Sequence, residues 1–158
     1  MNSASEEQSI AIQHIINGDN VILDAVAGSG KSTTVLSAAS SMNEKKFLLI
    51  AFNAMLRKET EAKVKSLELS NVIVHTFHSL CVKYYLSSAH TDTGIRRVIL
   101  NKMKPKEALP KIDVIVLDES QDMSFLYFKW MVKFARDMAR PFQLFVLTQA
   151  LLPSPHEK

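Results

Sequence analysis

Two of the four glycines in this 158-residue chain, Gly28 and Gly30, fall in one short loop that leads straight into Lys31, Ser32 and Thr33. The stretch reads VILDAVAGSGKSTT over residues 21–34: an apolar run, then small residues, then a lysine and hydroxyls. Glycine lacks a Cβ, so successive backbone N–H groups can turn inward and, with the positive end of a following helix, form a cradle for an anion. The backbone from Ala27 through Gly28, Ser29 and Gly30 to Thr33 is expected to hold the phosphates of a nucleotide. Lys31 would set a point charge against the outer phosphates, and the Ser32 hydroxyl would ligate the Mg2+ that accompanies them. The general pattern G-x-x-x-x-G-K-[ST] carries a first glycine where this chain has Ala25.

A phosphate cradle does chemistry only beside a carboxylate, and DVIVLDESQD (113–122) supplies Asp118 and Glu119 where an apolar run stops. Asp118 is expected to hold magnesium through its water shell. Glu119 is placed to orient or deprotonate an attacking water, because phosphoryl transfer depends mainly on positioning and electrostatics.

The elements that must bring these residues together are five continuous apolar runs, at 21–27, 47–52, 72–77, 113–119 and 142–148. Continuous rather than alternating runs suit a mainly parallel sheet covered on both faces, and the strand–helix alternation predicts a three-layer α/β domain over residues 1–149. Parallel strands deliver their C-terminal ends to one edge, so the loop and the carboxylates should meet there. Helices are expected at 31–42 and 54–66, the latter with Glu59–Lys63 and Glu61–Lys65 at i,i+4 spacing. Ser124 can cap a further helix that Pro141 ends, with Phe125, Phe128, Met131, Val132, Ala135 and Met138 as its apolar stripe. Trp130 and the methionines are expected in or near the core, and His75 and Cys81 read as packing residues. Residues 150–158 read as a polar, proline-containing tail.

Composition sets wider limits. Hydrophobic residues make up 47% and charged residues 22%, which fits a globular chain and not a disordered one. The start MNSASEEQS lacks a basic, apolar signal segment and no run approaches a membrane span, so the expected location is intracellular, in cytoplasm or nucleus, with no membrane partner. Cys81 is the single cysteine, which excludes an intramolecular disulfide framework. A net charge of +3 only mildly favours nucleic acid.

Together these residues resemble the first RecA-like domain of superfamily 1 DNA helicases of the UvrD/Rep type, over residues 5 to 147. SEEQSIAI (5–12) is similar to the Q motif, which implies that Gln8 reads adenine. AVAGSGKST (25–33) resembles the family's Walker A form, in which alanine at the first position is ordinary. LLIAFNAMLRKE (48–59) and VHTFHSL (74–80) look like the motifs that line the single-stranded DNA path. VIVLDESQD (114–122) resembles motif II, implying that Gln121 and Asp122 couple nucleotide to DNA. The resemblance implies a P-loop, RecA-like fold, ATP and Mg2+ as cofactors, single-stranded DNA as partner, and a second RecA-like domain carried by another chain or segment.

The residues themselves leave the DNA elements open. Phe52, Asn53, Thr76, Phe77 and His78 leave two strands at the phosphate edge, where aromatic and small polar groups suit stacking and phosphate contacts. Phe52 and Phe77 equally suit the core, and His78 a helix cap. After the last strand the family continues with Gly-Asp and a γ-phosphate-sensing glutamine, whereas this chain reads VLTQALLPSPHEK, with Gln149 out of register for that role. The expectation is therefore a domain incomplete as a motor on its own. The alternatives are an autonomous small P-loop ATPase and a nucleotide-gated binder without turnover.

Overall fold

The computed structural model describes residues 6–25 and 31–149. Ala27, Gly28, Ser29 and Gly30 of the glycine loop, and the tail from residue 150, lie outside the described residues. In chain order the elements are α1 (Glu6–Ile16), β1 (Val21–Ala25), α2 (Lys31–Ser41), β2 (Phe47–Ile50), α3 (Ala54–Ser66), β3 (Val72–His75), α4 (Phe77–Tyr84), α5 (Asp92–Leu100) and β4 (Val114–Leu117). A 3-10 turn (Ser120–Asp122), α6 (Phe125–Met138) and β5 (Gln143–Gln149) complete the fold. The five strands form one sheet in the order β1-β5-β4-β2-β3, and every pairing is parallel.

The continuous apolar runs are explained by burial on both faces of this sheet. In β4, Val114 and Val116 enter the core shared with α1 and α2, while Ile115 and Leu117 enter the core built on α4, α5 and α6. Phe47 and Leu49 against Leu48 and Ile50 divide β2 in the same way. Each crossover helix returns the chain to the starting edge, which makes the strands parallel, and helices on both faces give the sheet its double cover.

Local chemistry sets the helix starts at the functional edge. The Asn53 side chain accepts from the Leu56 N–H at 2.9 Å and opens α3. Thr76 and Ser79 cap α4 reciprocally, and the Ser124 hydroxyl accepts from the Tyr127 N–H to open α6.

Five expectations are corrected. Phe125 and Phe128 are 71% and 54% exposed, and α6 instead buries Trp130, Met131 and Phe134. Phe125 and Phe134, nine residues apart, lie about 180° apart on a helix, so the stacked Trp130–Phe134 pair turns Phe125 to the outside. The helix ends at Met138, where Ala139 adopts the left-handed conformation (φ 52°), two residues before Pro141. Met55 is 69% exposed because α3 turns Thr60 and Val64 inward. On α3 the ion pair that forms is Arg57–Glu61 at 2.9 Å, not the pairs from Glu59 and Glu61 to the lysines. His78 does not cap α4; Thr76 does.

Candidate nucleotide site and the adjoining sheet edge

Lys31 is the first residue of α2, and Glu119 follows β4 by two residues, yet the Lys31 Nζ lies 3.4 Å from Glu119 Oε1. The meeting follows from the parallel sheet, since the residues after β1 and after β4 emerge at one edge, with β5 between the two strands. Lys31 is buried at 8% exposure, unusual for an ammonium and tolerable only beside negative charge. Glu119 adopts the left-handed conformation (φ 54°, ψ 46°), which starts the 3-10 turn and bends the chain away from β4. Gln121 Nε2 donates to the other Glu119 oxygen, and Gln121 Oε1 accepts from the Gln149 N–H at 3.0 Å. Gln121 thus ties the acidic turn to the end of β5.

Asp118 is buried, accepts from the Glu119 N–H at 2.9 Å, and donates its own N–H to Ile50 O at 3.2 Å. Burial pushes its carboxyl above the ordinary range and the neighbouring Glu119 charge adds to this, while Lys31 pulls the other way. A buried carboxylate held next to a second one is an arrangement that a cation relieves. Among the described residues no group of three or more histidine, cysteine or acidic side chains could form a metal cage. The buried Asp118 carboxylate beside Glu119 fits a magnesium ion that takes most of its ligands from water and phosphate, the mode this hard cation prefers. Ser32 is half-buried beside Lys31 and Thr33 is exposed. Gln8 lies half-buried on α1, which packs on α2, and Asp122 is exposed in the acidic turn.

The other residues expected to meet DNA gather further along the same edge, after β2 and β3. Asn53 is exposed and Phe52 half-buried, with Phe52 meeting Phe77 edge-on at 5.2 Å. Phe77 itself is 1% exposed, stacked on Tyr127 at 4.7 Å and edge-on to Trp130, so it belongs to the core and has no ring face for a base. Thr76 is buried as the helix cap, with its hydroxyl engaged by Ser79. His78 is partly exposed and lies 2.8 Å from Asp92, which also accepts from the Tyr127 hydroxyl at 2.9 Å. Sequence reasoning passed over Tyr127 and Asp92; the one signal for Tyr127 was its place three residues after the Ser124 cap. A cavity of about 490 Å³ opens beside them, lined by Arg57, His75, His78, Lys83 and His90 among others.

His75, expected to pack, is buried with its Nδ1 2.8 Å from Ser79 Oγ. Burial first, then Arg57 and Lys83, lower its pKa to about 4. The native state therefore refuses a proton that the unfolded chain accepts at about 6.5. This contribution to stability is complete above about pH 6.5 and is lost as pH falls towards 4, with a slope of at most about 1.4 kcal/mol per pH unit. Urea unfolding from pH 7 to 4.5 should show this slope, reduced in His75→Gln; an unchanged slope would remove His75 as its source. Cys81 is likewise buried, and burial pushes its thiol up to about 11.

A five-stranded parallel sheet under helices, with lysine and carboxylates meeting at its C-terminal edge, defines an α/β domain of the P-loop NTPase, RecA-like fold. Residues 8–147 match the family described as the AAA domain, and the chain belongs to that family. Its fold is similar to that of the UvsW helicase from bacteriophage T4, with a TM-score of 0.60 at 13% identity over 92% of this chain and 52% of that one. The SWI2/SNF2 ATPase core of Sulfolobus solfataricus, solved in complex with dsDNA, has a TM-score of 0.55 at 14% identity over 97% of this chain and 32% of that one. The Hef helicase domain of Pyrococcus furiosus has a TM-score of 0.51 at 17% identity, over 95% and 33%. The chain thus spans about half the length of the first and a third of the other two. No described helix is long and apolar enough to cross a membrane.

Proposed function

We propose that residues 1–149 are the ATP-binding domain of an intracellular superfamily 1 DNA helicase of the UvrD/Rep type, coupling ATP binding and hydrolysis to a single DNA strand. The observation that carries the reading is the Lys31–Glu119 contact with Asp118 beside it, assembled from residues after two strands that are not sheet neighbours. In this reading Gln8 contacts adenine, the backbone of Ala27, Gly28, Ser29, Gly30 and Thr33 surrounds the phosphates, and Lys31 neutralises their outer charge. Ser32 and Asp118 hold Mg2+, which supplies charge stabilisation on the phosphoryl oxygens when bound. Glu119 orients and deprotonates water, and Gln121 and Asp122 pass the state of the acidic turn to β5 and the DNA edge. A second RecA-like domain on another chain or segment would close the other half of the cleft.

Phe52, Asn53, Thr76 and His78 form the proposed DNA edge, with Phe77 as the buried support beneath Phe52. The helicase neighbours and the dsDNA complex support nucleic acid as the partner class. With one domain and a net charge of +3, affinity should be low and fall steeply with salt. Oligothymidine should bind better than duplex in fluorescence anisotropy, and Phe52→Ala should weaken it by roughly 1–3 kcal/mol if the ring stacks on a base. Preference for duplex would overturn the single-strand assignment. A large drop in thermal stability with unchanged DNA affinity would return Phe52 to the core.

A further inference from the structure

Phe125 and Phe128 stand on the outer face of α6, and Leu100, at the end of α5, is 73% exposed. Between the two helices lies a groove of about 570 Å³ whose apolar lining comprises Ile99, Phe125, Phe128 and Val132. A neighbouring hollow of about 350 Å³ shares Ile99 and Phe125 and adds Leu100 and Leu126, so the apolar surface continues around the end of α5. A contiguous exposed patch of this kind marks an interaction site more often than scattered apolar residues do.

The charge around it is predominantly positive. Lys102, Lys129, Lys133 and Arg136 line the groove and Arg96 lines the hollow. The single lining carboxylate, Asp137, is already engaged, accepting from the Tyr85 hydroxyl at 2.6 Å and pairing with Lys133 at 3.2 Å. Among the described residues no carboxylate forms an ion pair with Arg96, Lys102, Lys129 or Arg136. None of these residues belongs to the nucleotide site or to the proposed DNA edge.

We propose that this groove docks an acidic amphipathic helix of a partner protein. Positions 125, 128, 132 and 136 climb α6 at helical spacing over roughly 16 Å, a length that an apolar helical stripe at i, i+3, i+7 and i+11 matches. The apolar lining takes that stripe, and the unpaired cations select carboxylates flanking it. Stacked nucleic acid fits less well, because the Lys129 ammonium lies over the Phe125 ring, 4.6 Å from its centroid, where a base would need an open face.

The test titrates the intact 158-residue chain with three labelled probes in fluorescence anisotropy. The first is a designed helix with leucines at i, i+3, i+7 and i+11 flanked by glutamates; the second replaces the glutamates by lysines; the third is oligothymidine. The acidic helix should bind, and the lysine version should bind at least about tenfold more weakly. Phe125→Ser with Phe128→Ser, and separately Lys129→Glu with Arg136→Glu, should each weaken the acidic helix by roughly tenfold or more. All four side chains are exposed, so thermal midpoints should stay unchanged. Failure of the acidic helix to bind, equal binding of the two helices, or no change in either double variant would overturn the proposal. Oligothymidine binding that both double variants abolish, with no acidic-helix binding, would instead make this a nucleic-acid surface.

Discussion

Lys31→Ala should abolish detectable binding of Mg-ATP or Mg-ADP. The lysine is buried at the first turn of α2, and among the described residues its ammonium is the one that pairs with Glu119, at 3.4 Å. A charge-assisted hydrogen bond contributes about 1.5–3 kcal/mol, enough for a loss of roughly ten- to a hundredfold by itself. Removing the ammonium also leaves Glu119 and buried Asp118 facing the phosphates with less opposing charge, which adds repulsion. In the proposed two-domain cleft, a site offered by this domain alone should then fall below measurable affinity. Titration of a fluorescent adenine nucleotide against wild type and variant checks this, with thermal midpoints showing that both are folded. Equal affinity would remove Lys31 and its loop from the nucleotide site. In the same titration, Gln8→Ala should lower the preference for adenine over guanine while phosphate binding survives.

The 158-residue chain alone should turn over ATP slowly, even though Glu119 is in place. The cations acting on Asp118 are Lys31 and Lys63, and no described arginine is among them. An arginine supplied across a cleft is worth about 10³ to 10⁵ in rate in related phosphoryl transfers. Phosphate release stimulated by single-stranded DNA should therefore be near background for this chain. It should rise by orders of magnitude when a protein carrying the partner domain is added. Glu119→Gln should then block release while leaving nucleotide affinity intact, because it removes the base and keeps the shape. Robust stimulated turnover by the chain alone, abolished in Glu119→Gln, would show a complete ATPase and overturn the two-domain reading.

The fold could be read from the sequence wherever a single physical constraint dominated. Continuous apolar runs located all five strands because a strand buried on both faces has little choice of residue. Ser124 was legible as a cap because a helix start needs a side-chain acceptor for a free N–H, whereas Asn53 and Thr76, which fill the same role, were read as DNA contacts. The meeting of Lys31 and Glu119 was legible because parallel strands share an edge. The orientation of α6 was not, since Phe125, Leu126, Phe128, Trp130, Met131, Val132 and Phe134 place apolar residues on more than one side. Only tertiary packing decides that Trp130 and Phe134 go in, where Trp130 meets Phe77 and Tyr85. The left-handed turn at Glu119 was also illegible, because no glycine marks it. Nor could spacing alone bring Asp92, His78 and Tyr127, from three different helices, to one point.

The place of β5 in the sheet bears on how the protein comes into being during translation. Strand β1 ends just before the glycine loop, and its one neighbour in the sheet among the described residues is β5, with Val21 opposite Phe145. Asn20 likewise waits for Leu144, 124 residues later, to fill its side-chain acceptor. A nascent chain can assemble β2, β3 and β4 while β1 still has no strand to pair with. The two halves of the proposed nucleotide site acquire a fixed separation only when β5 slides between them. Closing so long a loop delays the pairing, and until then β1 and β4 each present an open edge to other chains. Nucleotide that bridges Lys31 and Asp118 would then act on folding as well as on function, favouring chains in which β5 has arrived.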